Sequence, residues 1–165
     1  MNGVDWNKNI KEALDRTEFM ALATSGPEGP WVCPVVFSYD REMNFYFVSM
    51  TTSTHVRNIE KDPSVALAIY KTERVGVSGV IGLQIVGEAA TMTDPEELAK
   101  CSSCYFNRAE NYTEIKEIAA DAGGEGSNWQ FFKVKTRELW YFNSKDFGEK
   151  RIKVELSDLA PNPSD

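Results

Sequence analysis

Apolar residues recur at three- and four-residue steps at the start of the chain. Over residues 5–16 (DWNKNIKEALDR) Trp6, Ile10 and Leu14 fall on one stripe with charges elsewhere, which predicts an amphipathic helix. The period then shortens. FMALATS (19–25) is a short apolar run closed by the turn cluster Gly26-Pro27-Glu28-Gly29. WVCPVVFSY (31–39) continues extended, residues 40–44 read as a polar reversal, and FYFVSM (45–50) is rich in aromatic and branched residues. These runs predict strands joined as a hairpin or meander.

A hydroxyl run, Thr51-Thr52-Ser53-Thr54, then offers several helix caps, and His55 to Lys61 fits a short helix stopped at Asp62-Pro63. SVALAIY (64–70) returns to strand, and residues 72–80 form a glycine-containing loop. Residues 82–92 (GLQIVGEAATM) predict a long strand in which Gly87 marks a bulge or a close backbone approach. Asp94-Pro95-Glu96-Glu97 opens a helix, with proline at its first position and acid in its first turn. Asn111-Tyr112 interrupts it, and residues 113–122 predict another. A flexible glycine-rich loop (123–128) leads to a last pair of strands, 129–135 and 138–143, around Thr136-Arg137.

Six or seven mostly consecutive strands with three or four short helices predict a mainly β, α+β fold: a small antiparallel barrel with short flanking helices. Neither an internal repeat nor a linker divides the chain, so residues 1–165 read as one domain, with a helical insertion at 94–128 and a frayed tail at 160–165. Placed between strands, that insertion is expected to cap a cleft.

Composition narrows the function classes. A net charge of −7 without a long Lys/Arg run argues against a sequence-independent nucleic-acid binder or a binder of anionic membranes. The first twenty residues carry charges throughout, which leaves no apolar signal core, and no stretch reaches the roughly 20 apolar residues of a membrane helix. Three cysteines fit a disulfide framework poorly and favour a reducing cytoplasm. Cys101-Ser-Ser-Cys104 lies inside a helical stretch, away from a helix start, and only Cys33 and His55 could add metal ligands. The pair therefore reads as helix packing, and no metal site is expected. One histidine and no G-x-S-x-G elbow leave hydrolase catalysis unsupported, and no G-x-G-x-x-G or Walker loop is present.

The hydroxyl run is the most informative local feature. Thr52, Ser53 and Thr54 lead into a helix whose first turns carry His55 and Arg57. Helix N–H groups, the dipole and an arginine suit an anion such as phosphate, although a plain N-cap with solvated neighbours has the same pattern. Pro34, mid-strand, cannot donate to a ladder; an edge strand or a flat ligand against the backbone explains it equally well.

The order of the pieces is more specific than any one of them. Leu22-Ala23-Thr24, the Gly26–Gly29 turn, Pro34-Val35-Val36-Phe37, Asp40 and Phe45-Tyr46-Phe47 are followed by Ser53-Thr54-His55-Val56-Arg57-Asn58-Ile59. Asp62-Pro63-Ser64-Val65 and Val86-Gly87-Glu88-Ala89 complete the series. In this order they resemble the pyridoxamine 5′-phosphate oxidase-like FMN-binding split barrels over about residues 13–93, and the ending LWYFNSKDFGEKR resembles one small branch of that superfamily.

The resemblance implies a homodimer with two FMN clefts between subunits and an FMN-dependent oxidoreductase acting on a small molecule. A non-enzymatic flavin or haem binder is the alternative. The backbone of Pro34, Val35 and Val36 would face the isoalloxazine ring, and Val48 and Ser49 its other portion and the ribityl chain. Thr52, Ser53, Thr54, His55 and Arg57 would surround the phosphate, with Gln84 and Trp129 reaching across from the second subunit. No residue stands out as catalytic acid or base. The chain departs from authentic pyridoxamine phosphate oxidases: His55 replaces the usual phosphate lysine, Val32 and Phe37 replace arginine and lysine, and the C-terminal arginine-rich substrate motif is missing.

Overall fold

The computed structural model describes residues 4–15, 17–70, 80–108, 117–118, 120–124 and 126–159. Helix α1 (Trp6–Asp15) forms where the apolar stripe requires it, burying Ile10, Ala13 and Leu14. Strands β1 (Phe19–Gly26) and β2 (Gly29–Val36) make a hairpin whose tight turn is permitted by Gly29, at φ 104°. Next come β3 (Ser38–Tyr39), β4 (Phe45–Met50), α2 (Thr54–Lys61), β5 (Ser64–Tyr70) and β6 (Ile81–Thr91). Helix α3 (Pro95–Arg108), β7 (Trp129–Asn143), the one-turn α4 (Ser144–Phe147), β8 (Arg151–Val154) and a 3₁₀ turn (Leu156–Asp158) complete the described chain.

All pairings are antiparallel and form one eight-stranded sheet in the order β2-β1-β5-β6-β7-β4-β3, with β8 also on β7. Strands β2 and β3 lie at opposite ends of that order, yet only Phe37 separates them in the chain. One residue advances the chain by about 3.8 Å, so the two edges must meet at Phe37 and the sheet must curl. The result is the expected split barrel. Phe37, Phe45, Phe47, Leu22, Leu67, Leu83 and Phe132 fill it, with Phe47 and Phe132 stacked at 5.0 Å between ring centroids.

Two expectations are corrected. Residues 129–143 form one 15-residue strand, not a pair split at Thr136-Arg137. Val86 pairs with Glu138 and Gly87 with Thr136, so Arg137 is the extra residue of a β-bulge that the ladder passes without ending. The run read as 31–39 divides at Phe37 into β2 and β3, and the unexpected β8 brings the count among the described residues to eight. The long β7 needs β8 because β4 covers only residues 129–134 on that side, leaving 139–142 to pair with Arg151–Val154.

Helix α2 begins one residue early, at Thr54, with Ser53 as N-cap. Helix α3 opens as read, Asp94 Oδ1 accepting the Glu97 N–H at 2.9 Å. Residues 72–79 of the expected 72–80 loop, the Asn111-Tyr112 break, residues 113–116 and 119 of the 113–122 helix and the 160–165 tail lie outside the described residues; residues 117–118 and 120–121 are helical.

Candidate functional site

Periodicity decides which side chains of α2 are available. His55, Val56, Asn58 and Ile59 are buried, whereas Arg57 is exposed. Residues three apart share a face, which places Thr54 beneath Arg57. The Arg57 guanidinium donates from Nη1 to the Thr52 carbonyl at 2.6 Å and from Nη2 to Thr54 Oγ1 at 3.4 Å. It is thereby held across the amino end of the helix. Ser53 caps that end with no side-chain capping hydrogen bond, so its hydroxyl is not committed to the helix. Thr52, through its carbonyl, and Thr54 are thus joined to Arg57 at the amino end of α2, where Ser53 is the N-cap.

His55 faces the opposite way. Its Nε2 lies 2.7 Å from Ser49 Oγ, its ring is 6.3 Å from that of Phe47, and it is only 9% exposed. Burial pushes its imidazole below the ordinary histidine range, which keeps the ring neutral at neutral pH. Asn58, also buried, donates to Thr24 Oγ1 at 3.1 Å and fills the space beside Gly26, where any β-carbon would collide with its amide. Asn58 belongs to the motif quoted above; a buried polar helix residue needing a partner was the available signal for its role.

The outer face of the sheet carries the other candidates. Pro34 is exposed on β2 and starts a cross-strand row: Pro34, Ala21, Ala68, Gln84, Trp140, Lys153. Pro34 and Gln84 therefore share a face, three strand spacings or about 14 Å apart, separated by two alanines. Val35 points into the barrel core, leaving its backbone for any ligand on the outer face. Val36 and Val48 pack elsewhere, against one cluster. Both pack with Tyr46, Met92 and Phe131 beneath Cys101 and Tyr105 of α3, so the insertion covers two residues assigned to the flavin ring.

Trp129 pairs with Met50 at the start of β7, eleven residues from the Trp140 that neighbours Gln84. Within one chain Gln84 and Trp129 are not brought together. Trp140, which the sequence reading missed, is the aromatic beside Gln84, with Lys153 Nζ 5.6 Å from its ring centroid. The in–out alternation of Leu139-Trp140-Tyr141 was the signal for it. An open cleft of about 300 Å³ lies at Phe19, Ala21, Pro34 and Tyr70, rimmed by Asp15 and Glu18.

The Cys101 side chain is buried in the α3 contact, packed with Tyr105 and Phe131; the Cys104 side chain lies outside the described residues. Among the described residues, no three His, Cys, Asp or Glu side chains gather as a metal-holding group, and no helix is long and apolar enough to cross a membrane.

Comparison with known proteins adds the following. The family model described as pyridoxamine 5′-phosphate oxidase matches residues 6–143. Among curated proteins no sequence matches. HutZ, the haem storage protein of Vibrio cholerae, superposes with a TM-score of 0.68 at 19% identity, over 86% of this chain and 99% of its own. A haem-binding protein of Mycobacterium smegmatis gives 0.72 at 15% identity, over 96% of this chain and 61% of its own. Campylobacter jejuni ChuZ gives 0.74 at 17%, over 96% and 64%. At these identities the structural likeness concerns the fold.

Proposed function

The chain belongs to the pyridoxamine 5′-phosphate oxidase family, and from that premise we propose that it is an FMN-dependent oxidoreductase acting on a small molecule as a homodimer. The observation that carries the flavin reading is the Arg57 guanidinium, fixed across the amino end of α2, whose N-cap Ser53 makes no side-chain capping hydrogen bond. That donor set fits a phosphate dianion: a helix dipole end, two hydroxyls and a planar cation. Thr52 helps through its carbonyl, which orients the arginine.

The ring would lie over the Pro34–Val36 backbone, with Val48 and Ser49 toward the ribityl chain. Gln84 and Trp129 of the second subunit would complete the cleft. When bound, the flavin supplies the hydride chemistry. The chain's own residues hold the phosphate, orient the ring and exclude water, with α3 as a cover over Val36 and Val48. The second subunit would sit on the outer sheet face, where Val32, Ala23, Ala66 and Val86 form a flat apolar row, Val32 being 63% exposed.

Haem is the competing ligand, because two structural relatives are described as haem proteins. Two features of this chain support flavin instead. His55, its one histidine, has Nε2 on Ser49, and burial keeps the Cys33 thiol protonated.

Titrating the protein into FMN tests the reading. Saturable quenching of flavin fluorescence at micromolar protein is expected, weakened by about 1–3 kcal/mol in Arg57→Ala. A Soret band with haemin and no response to FMN overturns it.

A further inference from the structure

We propose that His55 is a buried brace rather than a phosphate ligand, tying the first turn of α2 to the end of β4 through Ser49 and leaving Arg57 as a side-chain cation at the anion site. The second half of this statement rests on the FMN reading; the first half stands on the structure of the protein alone.

Three observations carry it. On an α-helix two residues is about 200° of rotation, so positions 55 and 57 point to opposite sides of α2. Position 55 shares its side with Val56 and Ile59, which pack into the barrel, whereas Arg57 shares the outer side with Thr54. His55 is also already spent. Its Nε2 is 2.7 Å from the Oγ of Ser49, itself 4% exposed, and Phe47 lies beside the ring. Turning the ring outward would orphan a buried hydroxyl and open a hole beside Phe47, both of which cost stability. Finally, burial lowers the basicity of the imidazole, so at neutral pH it lacks the charge a phosphate ligand supplies.

His55 is therefore a positioning residue. It fixes the azimuth of α2, and the azimuth is what brings Thr54 and Arg57 to the solvent side over the helix end. The resemblance implies a phosphate lysine at position 55, where this chain has His55; its helical cation on the solvent side is Arg57, two positions along.

The test uses the whole protein and its one histidine. Glutamine can keep a hydrogen bond to Ser49 without any charge. His55→Gln should hold the FMN dissociation constant within about threefold, while Arg57→Ala weakens it by about tenfold or more. His55→Ala and Ser49→Ala should each weaken binding, and the double variant should be no worse than the weaker single one, as for two ends of one contact. The histidine ring nitrogens, observed by long-range proton–nitrogen spectroscopy, should show a neutral ring whose signals move in Ser49→Ala but not on adding inorganic phosphate or FMN.

A tenfold loss in His55→Gln with Arg57→Ala unaffected overturns the proposal, as does a shift to the imidazolium position when phosphate is added. If the wild-type protein ignores FMN, the flavin reading fails, and the ring spectrum still decides the brace. A ring insensitive to Ser49→Ala, titrating like a free histidine, sinks it.

Discussion

Burial of His55 has a consequence for the stability of the whole chain. The folded state holds the ring neutral, with a pKa below the ordinary range, whereas the unfolded chain binds a proton at the ordinary value. Below about pH 6.5 the unfolded state therefore binds more protons than the folded state, and stability falls with falling pH. The sign follows from linkage: the contribution is complete above the unfolded pKa and is lost as the pH drops through the depressed folded value. Urea denaturation midpoints measured from pH 7.5 to 5 should decline across this window in the wild type and decline less in His55→Gln. Asp62 and Glu138, whose carboxyls hydrogen bonds hold low, are exposed and act at lower pH, and they are common to both proteins. Equal slopes for the two proteins would mean that His55 is not buried neutral.

Secondary elements were legible where one rule sufficed. The helical stripe of α1, the turn at Gly26–Gly29 and the Asp94-Pro95 start of α3 each follow from local chemistry. Strand β7 was not, because Thr136-Arg137 looks like a turn locally and becomes a bulge only when β6 lies alongside with Gly87 opposite. The same long-range pairing explains why the sequence points to Trp129 and not to Trp140. Which aromatic neighbours Gln84 depends on register across β6 and β7, and no local pattern encodes register. His55 and Arg57 were read together from their place in the hydroxyl-rich motif, and helix phase separates them.

Gly87 makes the bulge testable. A β-carbon there would stand 2.6 Å from the Lys135 carbonyl oxygen and 2.8 Å from the Val134 side chain, inside the longest ladder of the sheet. Gly87→Ala should lower stability by about 1–3 kcal/mol. At this chain length each kcal/mol shifts the thermal midpoint by about 2–4 °C, so calorimetry resolves the effect. An unchanged midpoint would show that the two strands are not pressed together at the bulge.

At the scale of the molecule, one broad side of the sheet carries no helix among the described residues. Helices α1 and α2 pack into the core, and α3 lies over β4 and the start of β7. The face of β2, β1, β5 and β6 is left with Val32 and Val86 exposed around two alanines, Ala23 and Ala66. Small side chains flanked by larger apolar ones present a flat surface, which a second sheet can approach closely. A two-fold axis through such a face makes it self-complementary, and a standard interface hides about 800 Å² on each partner. Proposed flavin contacts Pro34 and Gln84 lie on the same face, one row away, so assembly and cofactor binding should be lost together. Val86→Glu sets a carboxylate on the β6 side of this face, next to Glu138 on the neighbouring strand, and leaves the core untouched. Light scattering should then report a mass near 18.6 kDa in place of twice that value, with FMN affinity reduced in parallel. A wild-type protein that is already monomeric, or a Val86→Glu dimer that binds FMN normally, would move the second subunit off this face and with it the origin of the cleft.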